Sequence, residues 1–429
     1  MPTSPPTRLL LPLVAAVAAA CPPPSPQPSA LGPLPPSAEP EIRVGLGVGL
    51  ATVTLGGDSG GELIVTDVAT GEPLGSIPAG ASWTVRPDSG GTGLRLERPD
   101  GTSDARRRRG IAAVNVTEQR FATANGRRYR GRLQVVWTGE GLTLVNRVSL
   151  ENYVAGVIGG EMGRRRENEA QAMLAQAVVS RTVAFKNRGR WESLGFDLYG
   201  DIRDQVYGGV STETPAVWDA VRRTAGRVLR YQGQVIDAFF HSTCGFSTAG
   251  VEEAFRGGTR RLYLRPVSDA RGGGGGGRFY CDISPRFRWR EEWDASQLRA
   301  ILTRTLPTVT RVSGDGLQRI TGIEVSRTTA SGRVGELRIA FARGEVRVAG
   351  TDVRQVLRPE PERWLGSGAF QLHVTTQEGQ VARVVAAGAG WGHGVGLCQW
   401  GAVGRARAGQ SYEKILTTYF PGTTIDRLY

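Results

Sequence analysis

Two hydrophobic patterns divide the chain. From Glu41 to Arg147, and again from Arg311 to Val385, apolar residues alternate with polar ones in short runs bounded by Gly, Asp and Pro. EIRVGLGVGL, ELIVTDV, SWTVRP, LRLERP, YRGRLQVVW and LTLVNRVSL make up the first set; ITGIEVSRT, RVGELRIAFA, EVRVAG, FQLHVTT and VARVVAA make up the second. A period of two with turn signals between runs predicts β-strands. Between the sets the period changes. Ala172, Met173, Gln176, Ala177, Ser180, Arg181 and Ala184 recur at steps of three and four, which predicts a helix over 169–186 with small residues on its packed face. Thr214-Pro215 opens a second helix, TDVRQVL a short one, and Gln399–Arg407 and Ser411–Tyr419 two more.

The organising stretch is SLENYVAGVIGGEMGRRRENEAQAMLAQAVVSRTVA, residues 149–184. Its opening reads as a strand-like run carrying Glu151 and Tyr153, then a Gly-Gly pair, then Glu161 just ahead of the helix. Val154, Val157 and Ile158 give Glu161 an apolar approach. A carboxylic acid in apolar surroundings has its pKa raised and stays protonated closer to neutral pH, as a general acid requires. An exposed loop glutamate is the plainer alternative. The expected fold class is α+β: a β-rich body, a helix-containing core and an additional β-rich subdomain. The expected divisions are 1–20 signal peptide, 21–40 tether, 41–147 N-terminal β-rich part, 148–310 core, 311–385 β-rich subdomain and 386–429 closing segment.

Composition adjusts this picture in a few places. At 429 residues, with 60 glycines, the chain can bury a large core rich in turns. The net charge of +13 is almost wholly arginine, since Lys186 and Lys414 are the only lysines. That bias fits high-GC coding and weakens any nucleic-acid reading, although a basic surface attracts polyanions such as a cell wall or anionic lipid. Leu9–Ala20 is an apolar core after Arg8, too short to span a bilayer, followed by Ala18-Ala19-Ala20 and Cys21. This predicts export to the cell envelope. Cys21 stands as in a lipoprotein box, with Ala18 where leucine is usual, so lipid anchoring at Cys21 is expected. Cys21–Pro40 is then an extended Pro/Ser-rich tether. The four arginines 106–109 read as a solvated loop, Asn115 as an uninformative sequon, and the glycine run 272–277 as a loop tip. Cys244, Cys281 and Cys398 permit one disulfide and one free thiol in an oxidising compartment.

Three separated segments then occur in order: SLENYVAGVIGGEM with AQAVVSRTVA, FFHSTCGFSTAG, and GWGHGVGLCQWGA with YEKILTTYFPGT. Together they resemble the stage II sporulation protein D / LytB family over roughly residues 41 to 429. The resemblance implies one of two activities: a peptidoglycan lytic transglycosylase acting on glycan strands stripped of stem peptides, or an enhancer of a cell-wall amidase. It places the catalytic acid on Glu161. One acid suffices for that chemistry, because the substrate's own C6 hydroxyl is the nucleophile and no second carboxylate need activate water. It makes Arg181 a candidate clamp for a muramyl carboxylate, with a helix-surface arginine as the alternative. Tyr153, His241, Ser242, Trp391 and His393 are candidate sugar contacts. His241 would line the groove or orient Glu161, Trp391 would offer a stacking face and His393 a polar contact, with core packing as the alternative for Trp391 and His393. A Cys244–His241 nucleophile is the weakest reading. The expected partners are glycan strands and a cell-wall amidase, with no nucleic acid and no cofactor.

The chain departs from the family at two places. Some members carry paired cysteines and a histidine associated with zinc before Gln-x-Tyr; here DLYGDIRDQVY puts Tyr199 and Asp204 there, so that site is missing. His241, Cys244 and Cys281 could build another, and a Cys244–Cys281 disulfide is the rival. Gly163 replaces the proline usual after Glu-Met, and RRREN is more polar than the usual run.

Overall fold

The computed structural model describes residues 38–58, 60–103, 108–116, 120–272, 277–312, 317 and 319–429. The leader, Cys21 and nearly all of the tether, together with parts of the arginine and glycine runs, lie outside the described residues.

The alternating stretches form strands as their period requires. A seven-stranded sheet runs, in spatial order, Leu198–Tyr199, Glu41–Leu50, Leu142–Ser149, Arg132–Trp137, Gly110–Asn115, Leu63–Asp67 and Pro73–Ile77. A five-stranded sheet holds Leu94–Glu97, Ser82–Pro87, Val53–Gly57, Ala122–Ala124 and Arg127–Tyr129. Their inward residues, among them Ile42, Val44, Leu55, Val85 and Leu133, join one hydrophobic cluster with the helices described next.

Helix α1 is Leu150–Met162 and α2 is Ala170–Lys186. The first of these corrects the strand expected there. Glu151 and Tyr153 sit in the first turns of α1, and Glu161 is its penultimate residue rather than a loop residue before the next helix. Gly163, at φ +62°, ends α1 in a left-handed conformation open to glycine, and its N–H returns to the Gly159 carbonyl at 3.0 Å. That accounts locally for a glycine where proline is usual. Helix α2 carries thirteen buried residues, mostly small or β-branched, and packs against α1. Helix α3, Pro215–Arg223, is capped by Thr214, whose hydroxyl accepts from the Val217 N–H at 3.2 Å.

The short α4, Val251–Ala254, leads towards a second body. There α5, Ala295–Thr305, and α6, Val353–Val356, pack with two three-stranded sheets. One sheet orders Arg288–Asp294, Gln380–Ala389 and Phe370–Gln377; the other orders Ile320–Thr328, Val334–Phe341 and Gly344–Ala349. Trp293, Leu298, Leu302, Leu337 and Val384 belong to this second cluster, so its packing begins near Arg288 and takes in α5, upstream of residue 311. The chain then returns to the first body. Leu397–Cys398 pairs in parallel with Phe240–His241, followed by α7, Gln399–Arg407, and α8, Tyr412–Tyr419. Thr424–Arg427 closes by pairing with Arg227–Tyr231.

Candidate active site

Glu161 owes its position to glycines one turn earlier. A Cβ on Gly156 would lie 2.4 Å from the Tyr207 ring, and one on Gly159 would lie 1.9 Å from the Thr212 carbonyl oxygen. Without side chains there, residues 205–212 lie directly on α1. Thr212 Oγ1 donates to the Gly156 carbonyl (2.8 Å), and the Gly208 N–H donates to the same oxygen (2.9 Å). This close approach brings the Val206 N–H to Glu161 Oε1 at 3.0 Å. From the opposite side, Gln399 Nε2 at the start of α7 donates to Glu161 Oε2 at 3.4 Å. Glu161 is half-buried, and no cation pairs with it in the described structure. Burial raises its pKa above the usual carboxylate range, and the Val206 and Gln399 donors only partly oppose that.

The polar RRREN segment and Glu169 just after it lie against α7, touching its first and last turns. The Arg165 guanidinium lies 4.7 Å from the Trp400 ring centroid, and Glu169 takes a fork from Arg407 at 2.6 and 2.9 Å. The Trp400 N–H donates to the Ser242 carbonyl at 3.0 Å, so the strand carrying Ser242 abuts the turn that presents Gln399 to Glu161. Sequence reasoning missed Gln399, Trp400 and the Val206 amide. The only available signal was the Gln-Trp pair inside the closing motif.

The other expected contacts separate into two groups. Ser242, Trp391, His241 and His393 are brought together. The Thr243 and Trp391 backbones exchange hydrogen bonds at 3.0 and 2.7 Å, and the His241 and His393 rings stand 5.5 Å apart. Trp391 is half-buried, with the Arg286 guanidinium 4.4 Å from its ring centroid. His241 is buried; its Nδ1–H donates to the Val395 carbonyl at 3.1 Å, and among the described residues no hydrogen-bond partner meets its Nε2. His393 accepts the Val395 N–H at Nδ1 (3.1 Å) and donates from Nε2 to the Phe240 carbonyl (2.8 Å). Burial, with nearby arginines, lowers both imidazoles, His241 to about 3, so neither carries charge near neutral pH. His393 also lines a cleft of about 430 Å³ with Arg333, Arg354 and Trp364, whose walls do not include Glu161.

Tyr153 and Arg181 lie elsewhere, in the core. Tyr153 is 0% exposed, stacked on Tyr207 at 5.3 Å, and its hydroxyl accepts from Gln205 at 3.1 Å. Its apolar ring is consumed by packing, which leaves no face for a sugar. Arg181 is also 0% exposed, so it is not a helix-surface arginine. Its fork is filled by Glu151, at 2.8 and 2.6 Å, and a third donor meets the Arg227 carbonyl at 3.1 Å. A muramyl carboxylate would have to displace that buried pair. Asp204, where the family's cysteine was looked for, instead accepts the Trp191 indole N–H (2.9 Å) and the Tyr199 N–H (2.8 Å).

Of the two alternatives left open for the cysteines, the structure forms no disulfide. Cys244, Cys281 and Cys398 are free and buried, with Cys244 Sγ 3.5 Å from Cys281 Sγ, and Asp269 joins them. His241 makes none of these contacts, and Cys398 and Asp269 enter a cluster that spacing along the chain could not reveal.

Comparison with known proteins follows the same geography. Residues 138–231, which contain α1, α2 and α3, match the family of the stage II sporulation protein; residues 279–396 match a domain of unknown function. An uncharacterized protein of Brachyspira hyodysenteriae is 30% identical over 309 residues, spanning 71% of this chain and 73% of its own length. The amidase enhancer of Bacillus subtilis is 27% identical over 63% of this chain, a match that covers only 40% of the enhancer. Stage II sporulation protein D of the same organism is 25% identical over 66% of this chain and 75% of its own length.

Proposed function

Because the chain belongs to the stage II sporulation protein D / LytB family, we propose that it is a peptidoglycan lytic transglycosylase that uses Glu161 as its single acid and base. The observation that carries this reading is Glu161 itself: a half-buried acid with a raised pKa, two neutral donors and no paired cation among the described residues. Protonated Glu161 would give its proton to the glycosidic oxygen between MurNAc and GlcNAc as the C1–O bond breaks. The resulting carboxylate, steadied by Val206 and Gln399, would take the proton of the C6 hydroxyl as that oxygen closes on C1. The products are a 1,6-anhydro-MurNAc end and a free GlcNAc hydroxyl, and Glu161 ends as it began. General acid–base catalysis of this kind contributes roughly 10²–10⁴-fold, and the tethered C6 hydroxyl supplies the proximity a bound water would lack. Trp391, Ser242 and Trp400 are the glycan contacts best supported by exposure and by their place around the first turn of α7.

The match to the amidase enhancer supports a second reading, in which the same surface binds glycan strands and stimulates a cell-wall amidase without cutting them. In either case the site of action is the cell envelope, outside the cytoplasm. Among the described residues no helix is long and apolar enough to cross a membrane; the attachment proposed is a lipid on Cys21.

The deciding experiment is digestion of stem-peptide-free glycan strands by the chain and by Glu161→Gln, with products read by mass spectrometry. Anhydro-muramyl ends from the native chain alone support the transglycosylase. Reducing ends would require a second carboxylate and an activated water. Strands bound but uncut by both proteins would favour the enhancer.

A further inference from the structure

Cys244, Asp269, Cys281 and Cys398 are each 0% exposed, and one ligand atom from each lies within 4.8 Å of all the others. They come from four separate segments. Cys244 follows the strand Phe240–His241, Asp269 precedes the glycine run, Cys281 sits in the short helical turn Tyr280–Ile283, and Cys398 caps α7. Four sulfur and oxygen ligands around a single point have the number and softness of a structural zinc site. With Zn–S bonds of about 2.3 Å, tetrahedral sulfurs stand about 3.8 Å apart. The 3.5 Å between Cys244 and Cys281 is close to that edge and well beyond a covalent bond.

The surroundings are those of anionic ligands held in place. Cys398 Sγ accepts the backbone N–H groups of Cys244 and Gly401, both at 3.2 Å. Asp269 Oδ2 accepts the Cys281 N–H at 3.0 Å, while its Oδ1 accepts the Tyr419 hydroxyl at 2.6 Å and Arg405 Nη2 at 3.2 Å. Such outer contacts fix ligand orientation at metal sites. Three thiolates, a carboxylate and a divalent ion sum to two negative charges. Two buried guanidiniums stand by: Arg405 on Asp269, and Arg333 on the Cys244 carbonyl at 3.2 Å. A Cys244–Cys281 disulfide would account for neither the N–H groups aimed at Cys398 nor the presence of Asp269.

We propose that Cys244, Cys281, Cys398 and Asp269 bind one structural zinc ion. The ion staples the strand of Ser242 and the start of α7 to the turn at Cys281. It has no open position and takes no part in bond cleavage. Because Gln399 follows Cys398 directly, the ion also fixes the donor that reaches Glu161, and this assignment stands whether or not Glu161 cuts glycan.

The test is metal content of the full chain, purified without chelators, followed by exchange into Co²⁺. One zinc per chain, three thiols that react with an aromatic disulfide reagent only after the zinc is removed, and a Co²⁺ spectrum with thiolate charge-transfer bands are expected. Cys398→Ser and Asp269→Asn should each hold zinc at least tenfold more weakly, consistent with the loss of one ligand. Should those variants fold poorly, the Co²⁺ spectrum of the native chain still decides. Free thiols at Cys244, Cys281 and Cys398 with no metal after reconstitution would overturn the proposal. So would a Cys244–Cys281 peptide pair lacking two hydrogens in mass spectrometry of the native chain.

Discussion

Helix α1 carries a glutamate near each end, and the two have been treated in opposite ways. Glu151, in the first turn, receives the Arg181 fork, the Gly226 N–H at 2.9 Å and the Tyr429 hydroxyl. Glu161, in the last turn, receives one amide N–H and one distant side-chain amide, with no cation among the described residues. An acid paired with a buried guanidinium serves as a joint. An acid half-buried beside neutral donors is left ready to change its protonation state. The same residue type on one helix is therefore a fastener at one end and a candidate reagent at the other. Fifteen ångströms or so of helix rise, at about 1.5 Å per residue, separates them.

The largest effect that could break this contrast is on activity. Glu161→Gln should lower the rate of anhydro-muramyl product formation by roughly 10²–10⁴-fold, with circular dichroism unchanged. Glu151→Gln should leave chemistry in the folded fraction nearly intact. Equal losses from both would dissolve the distinction.

Next comes stability. Removing one partner of a buried ion pair costs about 3–5 kcal/mol because it strands the other charge. Urea unfolding of Arg181→Met should show a loss of that order, whereas Glu161→Gln should be neutral or slightly stabilising near neutral pH. The sign follows from the raised pKa: ionised Glu161 is penalised only in the folded chain, so its contribution is fully present in acid and is lost as pH rises through the folded value.

A smaller effect comes from the histidines beside the site. Their pKa values are depressed below 6.5, His241 to about 3, chiefly by burial. Between those values the unfolded chain binds protons that the folded chain refuses, so stability should fall on acidification. The slope is about 1.4 kcal/mol per pH unit for each histidine that stays neutral. His241→Gln should flatten that slope; an unchanged profile would show that protonation is accommodated without unfolding.

The smallest concerns tuning. Gln399→Ala removes a donor that favours the carboxylate, so the pH at which activity falls, as Glu161 loses its proton, should move upward by less than about one unit. A downward move would mean that Gln399 instead supports the protonated acid.

How much of this was legible follows from range. Period-two runs became strands in both bodies, and Gln399–Arg407 begins and ends where its residues imply. The opening of α1 read as a strand because Val154, Val157 and Ile158 are β-branched and three glycines, Gly156, Gly159 and Gly160, penalise a helix. What overrides propensity is the burial of Tyr153 and Val154 and the loop seated on Gly156 and Gly159, both tertiary facts. Glu161 could be singled out from its apolar run and its motif. The core placement of Arg181 could not, since its partner Glu151 was assigned to a strand. The cysteine cluster was half visible: Cys244 and Cys281 could be paired on paper, but Asp269 and Cys398 join them only through the parallel pairing of Phe240–His241 with Leu397–Cys398.

That parallel pair has one more consequence. Glu161 and Gln399 are 238 positions apart, and the whole second body is spelled out between them. During synthesis and export the acid emerges long before the residue that greets it. A chain clipped before the closing segment would hold Glu161 without Gln399 and without the proposed glycan contacts Trp391 and Trp400, so in our proposal such a fragment cuts the wall poorly.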